Sequence, residues 1–278
     1  MNEEFNLKKK KLASMFEKHI NNIHINGLEN IPNTGTNLFV VNHSCFLDVY
    51  LIAYVLNMPC ISMVSSNSLF GSNEERKHKL NEMLYPYPIE TRANKQYKDI
   101  IFKGAIKILE NKNNIIIFPQ GVFDNSGKIS KARIGVVKIL FNTLDSKREK
   151  YNIIPIALNT SNININNIQS STVWDDFEAT ISILPPFDYN SYYNKYKKCL
   201  LDDDKKVIFH NLIDAIMKKI AKTLNIEYVD EYISLYDMDG FWFPNGEYIT
   251  FEKSENELLY NKYKNLIDSI VDKYCSKS

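Results

Sequence analysis

The chain lacks a charge excess of either sign: 34 lysines and arginines stand against 33 aspartates and glutamates in 278 residues, a formal net charge of +1. No overall field draws it to nucleic acid, so no nucleic-acid partner is expected. It is also poor in cysteine. Cys45, Cys60, Cys199 and Cys275 are scattered without metal-ligand spacing, and no signal-peptide pattern precedes them. A reduced, cytoplasmic setting without a bound metal is the expectation. Apolar runs fall well short of the roughly 18 residues that suggest a membrane span, so the protein is expected not to cross a bilayer. Internal repeats and long disordered linkers are missing too. What is present, 44% hydrophobic and 24% charged residues, is ordinary globular composition with enough apolar material for a sizeable core.

Periodicity organises this material. Over residues 1–24, Leu12, Met15, Phe16, His19, Ile20 and Ile23 recur at helical spacing behind the basic cluster Lys8 to Lys11. Such a helix suits the surface of an anionic membrane, and it suits equally a first helix packed on the core. Residues Gly27 to Pro32 read as a turn. Strands are expected at Leu38–Val41, Ile61–Val64, Ile115–Phe118, Ile153–Leu158 and Thr180–Leu184, with helices over Val49–Leu56, Tyr97–Glu110 and Ile134–Asn142. This alternation predicts an α/β fold, a single domain over residues 25–224 with a mixed, largely parallel sheet flanked by helices. The proline within Ile153–Leu158 favours an edge position or a bulge. Asn159 to Ser171 reads as a surface loop and Val207–Leu224 as a helix. Residues 225–278 form a C-terminal extension packed on the domain: two short strands around the turn Pro244-Asn245-Gly246, then a helix from Glu255 to about Tyr274.

One short stretch carries a chemical signal. Asn42, His43, Ser44, Cys45, Phe46, Leu47 and Asp48 follow an apolar strand and set an imidazole and a carboxylate five positions apart. On a helix those positions lie about 140° apart round the axis, and on a strand they face opposite ways. A strand ending near Asn42, a turn, and a helix beginning near Phe46 can instead fold Asp48 back onto the ring of His43. The carboxylate then holds one ring nitrogen and leaves the other to accept a proton from a hydroxyl, as a general base does. In an open α/β sheet such residues sit beyond the carboxyl ends of the strands, where sites form.

Two further clusters follow. Ile115 to Phe123 is a buried strand running into Phe118-Pro119-Gln120-Gly121, where Gly121 permits close approach to the main chain. Ile153 to Leu158 is the apolar strand with a central proline. In order, these stretches resemble the blocks of the glycerolipid acyltransferase family, the group that contains the 1-acylglycerol-3-phosphate acyltransferases. Asn42, His43 and Asp48 match its first block in full. Ile89-Glu90-Thr91-Arg92 is similar to the second, which ends in arginine. Phe118, Pro119 and Gly121 match the third, Phe-Pro-Glu-Gly-Thr-Arg, while Gln120, Val122 and Phe123 depart from it. Ile153 to Leu158 is similar to the fourth.

The resemblance implies transfer of a fatty acyl group from acyl-CoA or acyl-carrier protein to a hydroxyl of a lysolipid of the glycerol-phosphate type. No metal or redox cofactor and no covalent acyl-enzyme are implied. His43 and Asp48 would be the catalytic pair; Asn42, Arg92, Pro119, Gln120 and Gly121 would contribute to substrate binding, with Lys128, Lys131 and Arg133 as candidate phosphate ligands. Cys45 occupies a variable position and reads as packing. Attachment to the inner face of a membrane is the expected localisation. Gln120 and Phe123 replace charged residues of the family pattern, so a non-phosphorylated acceptor, or a non-catalytic protein that binds acyl-CoA or lipid, are the alternative readings.

Overall fold

A computed structural model describes residues 2–90, 93–124, 126–147, 149–161, 177–234, 239–243, 246–250 and 256–276. In chain order its elements are α1 (Asn2–Phe16), β1 (Ile23–Asn26), β2 (Thr36–Val41), α2 (Asp48–Leu56), β3 (Cys60–Ser65), α3 (Ser66–Phe70), α4 (Glu74–Met83) and β4 (Tyr85–Ile89). There follow α5 (Lys95–Glu110), β5 (Asn114–Ile117), β6 (Ile129–Ser130), α6 (Gly135–Ser146), β7 (Tyr151–Ser161), β8 (Glu178–Ile183), α7 (Asn190–Lys198) and α8 (Asp202–Leu224). The chain continues through β9 (Tyr228–Val229), β10 (Gly240–Trp242), β11 (Tyr248–Thr250) and α9 (Glu257–Cys275).

Seven strands form one sheet in the order β1-β8-β7-β2-β5-β3-β4. Every neighbouring pair is parallel except β7 with β8, so the sheet is mixed and mostly parallel. Period-two alternation divides its side chains between two layers. Leu38, Val40, Ile115, Ile117 and Ile153 enter the core under α5, α6, α8 and α9, whereas Phe39, Val41, Ile116, Ile154 and Ile156 enter the core under α1 and α2. The extension joins the first of these layers: Phe241, Phe243 and Tyr263 surround the buried ring of Tyr97 on α5. No helix among the described residues is long and apolar enough to cross a membrane.

Several expectations shift. The first α-helix ends at Phe16 and passes into a 3-10 helix over Glu17–Asn22, and Ile23–Asn26 is a strand whose partner, β8, lies more than 150 residues further on. The apolar stripe of α1 covers the sheet, with Leu12 and Phe16 buried, while Lys8 and Lys11 reach Asn81 and Glu82 on α4. Strand β7 is not an edge strand, because it lies between β2 and β8. Pro155 is tolerated there because the ladder to β8 begins only at Ile156, and the proline carbonyl still accepts from Leu184 N–H at 2.9 Å. The edges are β1 and β4, and in β4 the alternating Pro86 and Pro88 disguised the strand in the sequence. Prolines two apart put both missing donors on the outer side, where Tyr274 of α9 donates its hydroxyl to Pro86 O at 2.6 Å. Of the expected loop over 159–171, the strand absorbs Asn159 to Ser161, and residues 162–171 lie outside the described residues. Turn residues Pro244 and Asn245 lie outside them too, while the flanking β10 and β11 pair antiparallel.

At one position the packing leaves no room for a methyl group. A Cβ on Gly104 of α5 would overlap the Tyr87 hydroxyl and come within 2.9 Å of Val271 Cγ2 on α9. Alanine ordinarily stabilises a helix by about 1 kcal/mol over glycine, but overpacking costs about 1–3 kcal/mol. Gly104→Ala is therefore expected to lower the thermal unfolding midpoint, and an unchanged or raised midpoint would show that α9 sits less tightly on α5.

Candidate active site

Strand β2 ends at Val41, and Asn42 extends its pairing with side-chain atoms. The Asn42 amide donates to Leu158 O and accepts from Leu158 N–H, each at 2.8 Å, stitching the end of β2 to β7. Buried at 4% exposure, Asn42 is thus a structural anchor immediately before His43. The chain then turns through residues 43–47 into α2, and Asp48, its first residue, points back over that turn. One carboxylate oxygen, Oδ2, accepts from Ser44 N–H at 2.6 Å, from Cys45 N–H at 2.9 Å and from His43 Nδ1 at 2.9 Å. Asp48 is fully buried, so these donors replace the water it has lost. Because a carboxylate only accepts, Nδ1 is the donor of this bond, and in the neutral imidazole Nε2 is the nitrogen without a hydrogen. His43 makes no other side-chain hydrogen bond among the described residues, and its ring keeps 15% exposure.

Cys45 completes the cradle. Its thiol donates to Asp48 Oδ1 at 3.0 Å, and burial together with the neighbouring negative charge pushes its pKa well above the usual thiol value. A buried thiol held in the protonated form is no nucleophile, which agrees with a packing role.

The 118–124 turn closes on His43 from the opposite side. Phe118 stacks on the imidazole at 4.3 Å between ring centroids, and Phe123 meets it edge-on at 4.5 Å. Gln120 Oε1 accepts from His43 N–H at 2.8 Å, and Asp124 N–H donates to His43 O at 2.8 Å. Gly121, in the left-handed region at φ 80°, bends the chain so that its own N–H returns to Phe118 O at 3.1 Å. That hydrogen bond keeps the Gly121 N–H inside the turn. Pro119 O accepts from Arg133 N–H at 2.8 Å.

Beside this turn lies a largely apolar cavity of about 240 Å³. Phe118 is common to both: one neighbour is His43, the other the cavity, which Pro119 and Gly121 also line. Its walls come from the ends of β4 and β5 and from the first turns of α5 and α6, with Ile89, Ile101, Ile117 and Ile139 among them. Three cations, Lys98, Arg133 and Lys138, line it together with the buried Glu90. Burial lowers the Lys98 pKa; Glu90 opposes this, while Arg133 and Lys138 reinforce it. Burial likewise lowers that of Arg133, whose Nε is buried without a hydrogen-bond partner. Positive charges held this close, one with an orphaned donor, suit an anionic group of a ligand.

The candidate phosphate ligands therefore separate. Lys128 pairs with Glu227 at 2.8 Å and Lys131 with Asp230 at 2.6 Å, so the segment following α8 holds both. Arg133 alone of the three lines the cavity, its guanidinium over the ring of Tyr232 at 5.3 Å. Arg92 lies outside the described residues. Sequence reading missed Lys98, Lys138 and Asp124. The first two had a findable signal, since first turns of helices that follow strands open at the carboxyl edge of the sheet.

Three likenesses to known proteins accompany this geometry. A family model described as Acyltransferase matches residues 22–159. A Rickettsia prowazekii (strain Madrid E) protein, the antigenic heat-stable 120 kDa protein, is 27% identical over 178 residues, 55% of this chain but only 16% of that much longer protein. The crystal structure of the 1-acyl-sn-glycerophosphate (LPA) acyltransferase PlsC from Thermotoga maritima aligns over 78% of each chain with 18% identity and a TM-score of 0.45. The family match runs from just before β1 through most of β7 and takes in His43, Asp48 and the turn that clamps them; on this ground residues 22–159 belong to the acyltransferase family.

Proposed function

We propose that the protein transfers a fatty acyl group from a coenzyme A or acyl-carrier-protein thioester to a hydroxyl of a phosphorylated glycerolipid, with His43 as general base. The observation that carries this reading is the 2.9 Å hydrogen bond from His43 Nδ1 to the buried Asp48, which leaves Nε2 basic. In the reaction Nε2 takes the proton of the acceptor hydroxyl as its oxygen attacks the thioester carbonyl carbon. Asp48 stabilises the imidazolium. Collapse of the tetrahedral intermediate breaks the carbon–sulfur bond, and the imidazolium returns the proton to the departing thiolate. The two charged positions of the family's third block are altered here, at Gln120 and Phe123. Lys98, Arg133 and Lys138 support a phosphate on the acceptor, and the apolar walls suit an acyl chain. Peripheral attachment to the inner face of a membrane belongs to the same reading; the exposed Leu7, Lys9, Lys10 and Ile20 support it.

A screen of purified protein with acyl-CoA and acyl-carrier-protein donors and a panel of lysolipids tests the reaction, with the acylated product read by mass spectrometry. Lys98→Ala and Lys138→Ala are each expected to raise KM for a phosphorylated acceptor by roughly 10- to 100-fold, from about 1.5–3 kcal/mol per charged contact. KM for an unphosphorylated analogue should stay unchanged. Equal effects on both acceptors would remove the phosphate from the assignment.

A further inference from the structure

Behind the clamp on His43 stands a buried carboxylate that the proton transfer does not use. Asp124 is 8% exposed, and its oxygens accept from four donors: Ser126 N–H at 3.1 Å, Ser126 Oγ at 2.5 Å, Ser130 N–H at 3.0 Å and Gln120 Nε2 at 3.2 Å. Gln120, at 2% exposure, also donates from Nε2 to Ser130 Oγ at 3.0 Å. A side-chain amide has two nearly isosteric orientations, and only its hydrogen-bond partners select one. An ionised carboxylate accepts and cannot donate. It holds the NH₂ of Gln120 on its own side and turns Oε1 toward His43 N–H, while the Asp124 N–H takes His43 O. The opposite orientation would set a donor against a donor at His43.

We propose that Asp124 is a positioning residue: its carboxylate fixes the orientation of the Gln120 amide, and the two together lock the main chain of His43 so that the ring keeps its place between Asp48 and Phe118. The consequence for acyl transfer rests on the function proposed above; the lock itself does not. A single negative charge is shared by positions 120 and 124. Moving it is tolerable, whereas doubling it or removing it is not. Gln120→Glu sets two buried carboxylates against each other at the distance now spanned by one hydrogen bond. Asp124→Asn removes the acceptor-only partner and frees the amide to turn over.

The test is a cycle of Asp124→Asn, Gln120→Glu and the double variant in the full chain, read by hydrogen exchange of the His43 amide and by steady-state kinetics. In the wild-type background Asp124→Asn should speed exchange of that amide about tenfold, the scale of one lost hydrogen bond. It should lower kcat about ten- to a hundredfold with KM little changed, as expected for a misplaced base. In the Gln120→Glu background the same substitution should act in the opposite direction, slowing exchange and raising kcat. That reversal is not expected of a residue that merely packs. If both single variants fail to fold, folding of the double variant alone supports the lock, and failure of all three overturns it. Loss of exchange protection from Asp124→Asn in both backgrounds overturns it as well, as does a KM effect without a kcat effect. A wild-type chain that shows the exchange pattern but no acyl transfer leaves the lock standing and removes the proposed function.

Discussion

Replacing His43 by alanine is expected to reduce acyl transfer about a hundredfold to ten-thousandfold, the contribution of a well-placed general base. The loss should fall on kcat, because the ring is assigned to the proton and not to either substrate's anchoring groups. Folding should survive. Among the described residues the imidazole makes one side-chain hydrogen bond and two ring contacts, and the main-chain clamp to Gln120 and Asp124 uses no atom that alanine lacks. Turnover measured beside a circular-dichroism melt separates the two effects; a folded variant with near-normal kcat would transfer the base role to another group.

A comparably large effect is expected at Asp48, with a different signature. Asp48→Asn keeps the volume but replaces an acceptor-only group with one that presents a single acceptor oxygen and an NH₂. Oδ2 now serves Ser44 N–H, Cys45 N–H and His43 Nδ1, Oδ1 receives the Cys45 thiol, and the Ser44 hydroxyl lies 3.3 Å from both oxygens. An amide cannot serve both sets. If its oxygen keeps the main-chain donors, its NH₂ opposes the thiol hydrogen; if it turns over, it faces Ser44 N–H, Cys45 N–H and His43 Nδ1. The ring then has no acceptor to fix its tautomer, a change worth about 10⁴ in kcat in serine-protease triads. Leaving a buried donor unsatisfied also costs about 1–3 kcal/mol. Asp48→Asn should therefore depress both kcat and the unfolding midpoint, whereas His43→Ala depresses mainly kcat. Equal midpoints for the two variants would mean that the turn over residues 43–47 stands without its carboxylate.

How far this could be foreseen varied along the chain for physical reasons. The central strands β2, β5 and β7 are apolar on both faces, and runs such as Leu38–Val41 and Ile115–Ile117 stand out without knowledge of their neighbours. The approach of Asp48 to His43 was legible because the turn is local, decided within seven residues. Strand β1 was not, since Ile23–Asn26 becomes a strand only by pairing with Ala179–Ser182. Strand β4 was hidden by Pro86 and Pro88, which argue against a strand until one knows that it lies at an edge of the sheet. The fate of Lys128 and Lys131 was settled by Glu227 and Asp230, almost a hundred positions downstream, and no spacing rule reaches so far. Gln120 looked like the loss of a charge. The charge reappears four residues later at Asp124, and only the folded turn brings it back to the same place.

The segment that a family search recognises stops at residue 159, yet the apolar underside of the sheet next to α5 and α6 is finished by Leu212, Ile216, Phe241, Tyr263 and Ile267, all contributed later in the chain. Recognisability and mechanical integrity thus have different boundaries. A gene fusion or shuffling event that transplanted the recognisable portion alone would deliver the chemistry-bearing turns on a half-roofed scaffold. Inheritance of a working protein would require the trailing helices to travel with it.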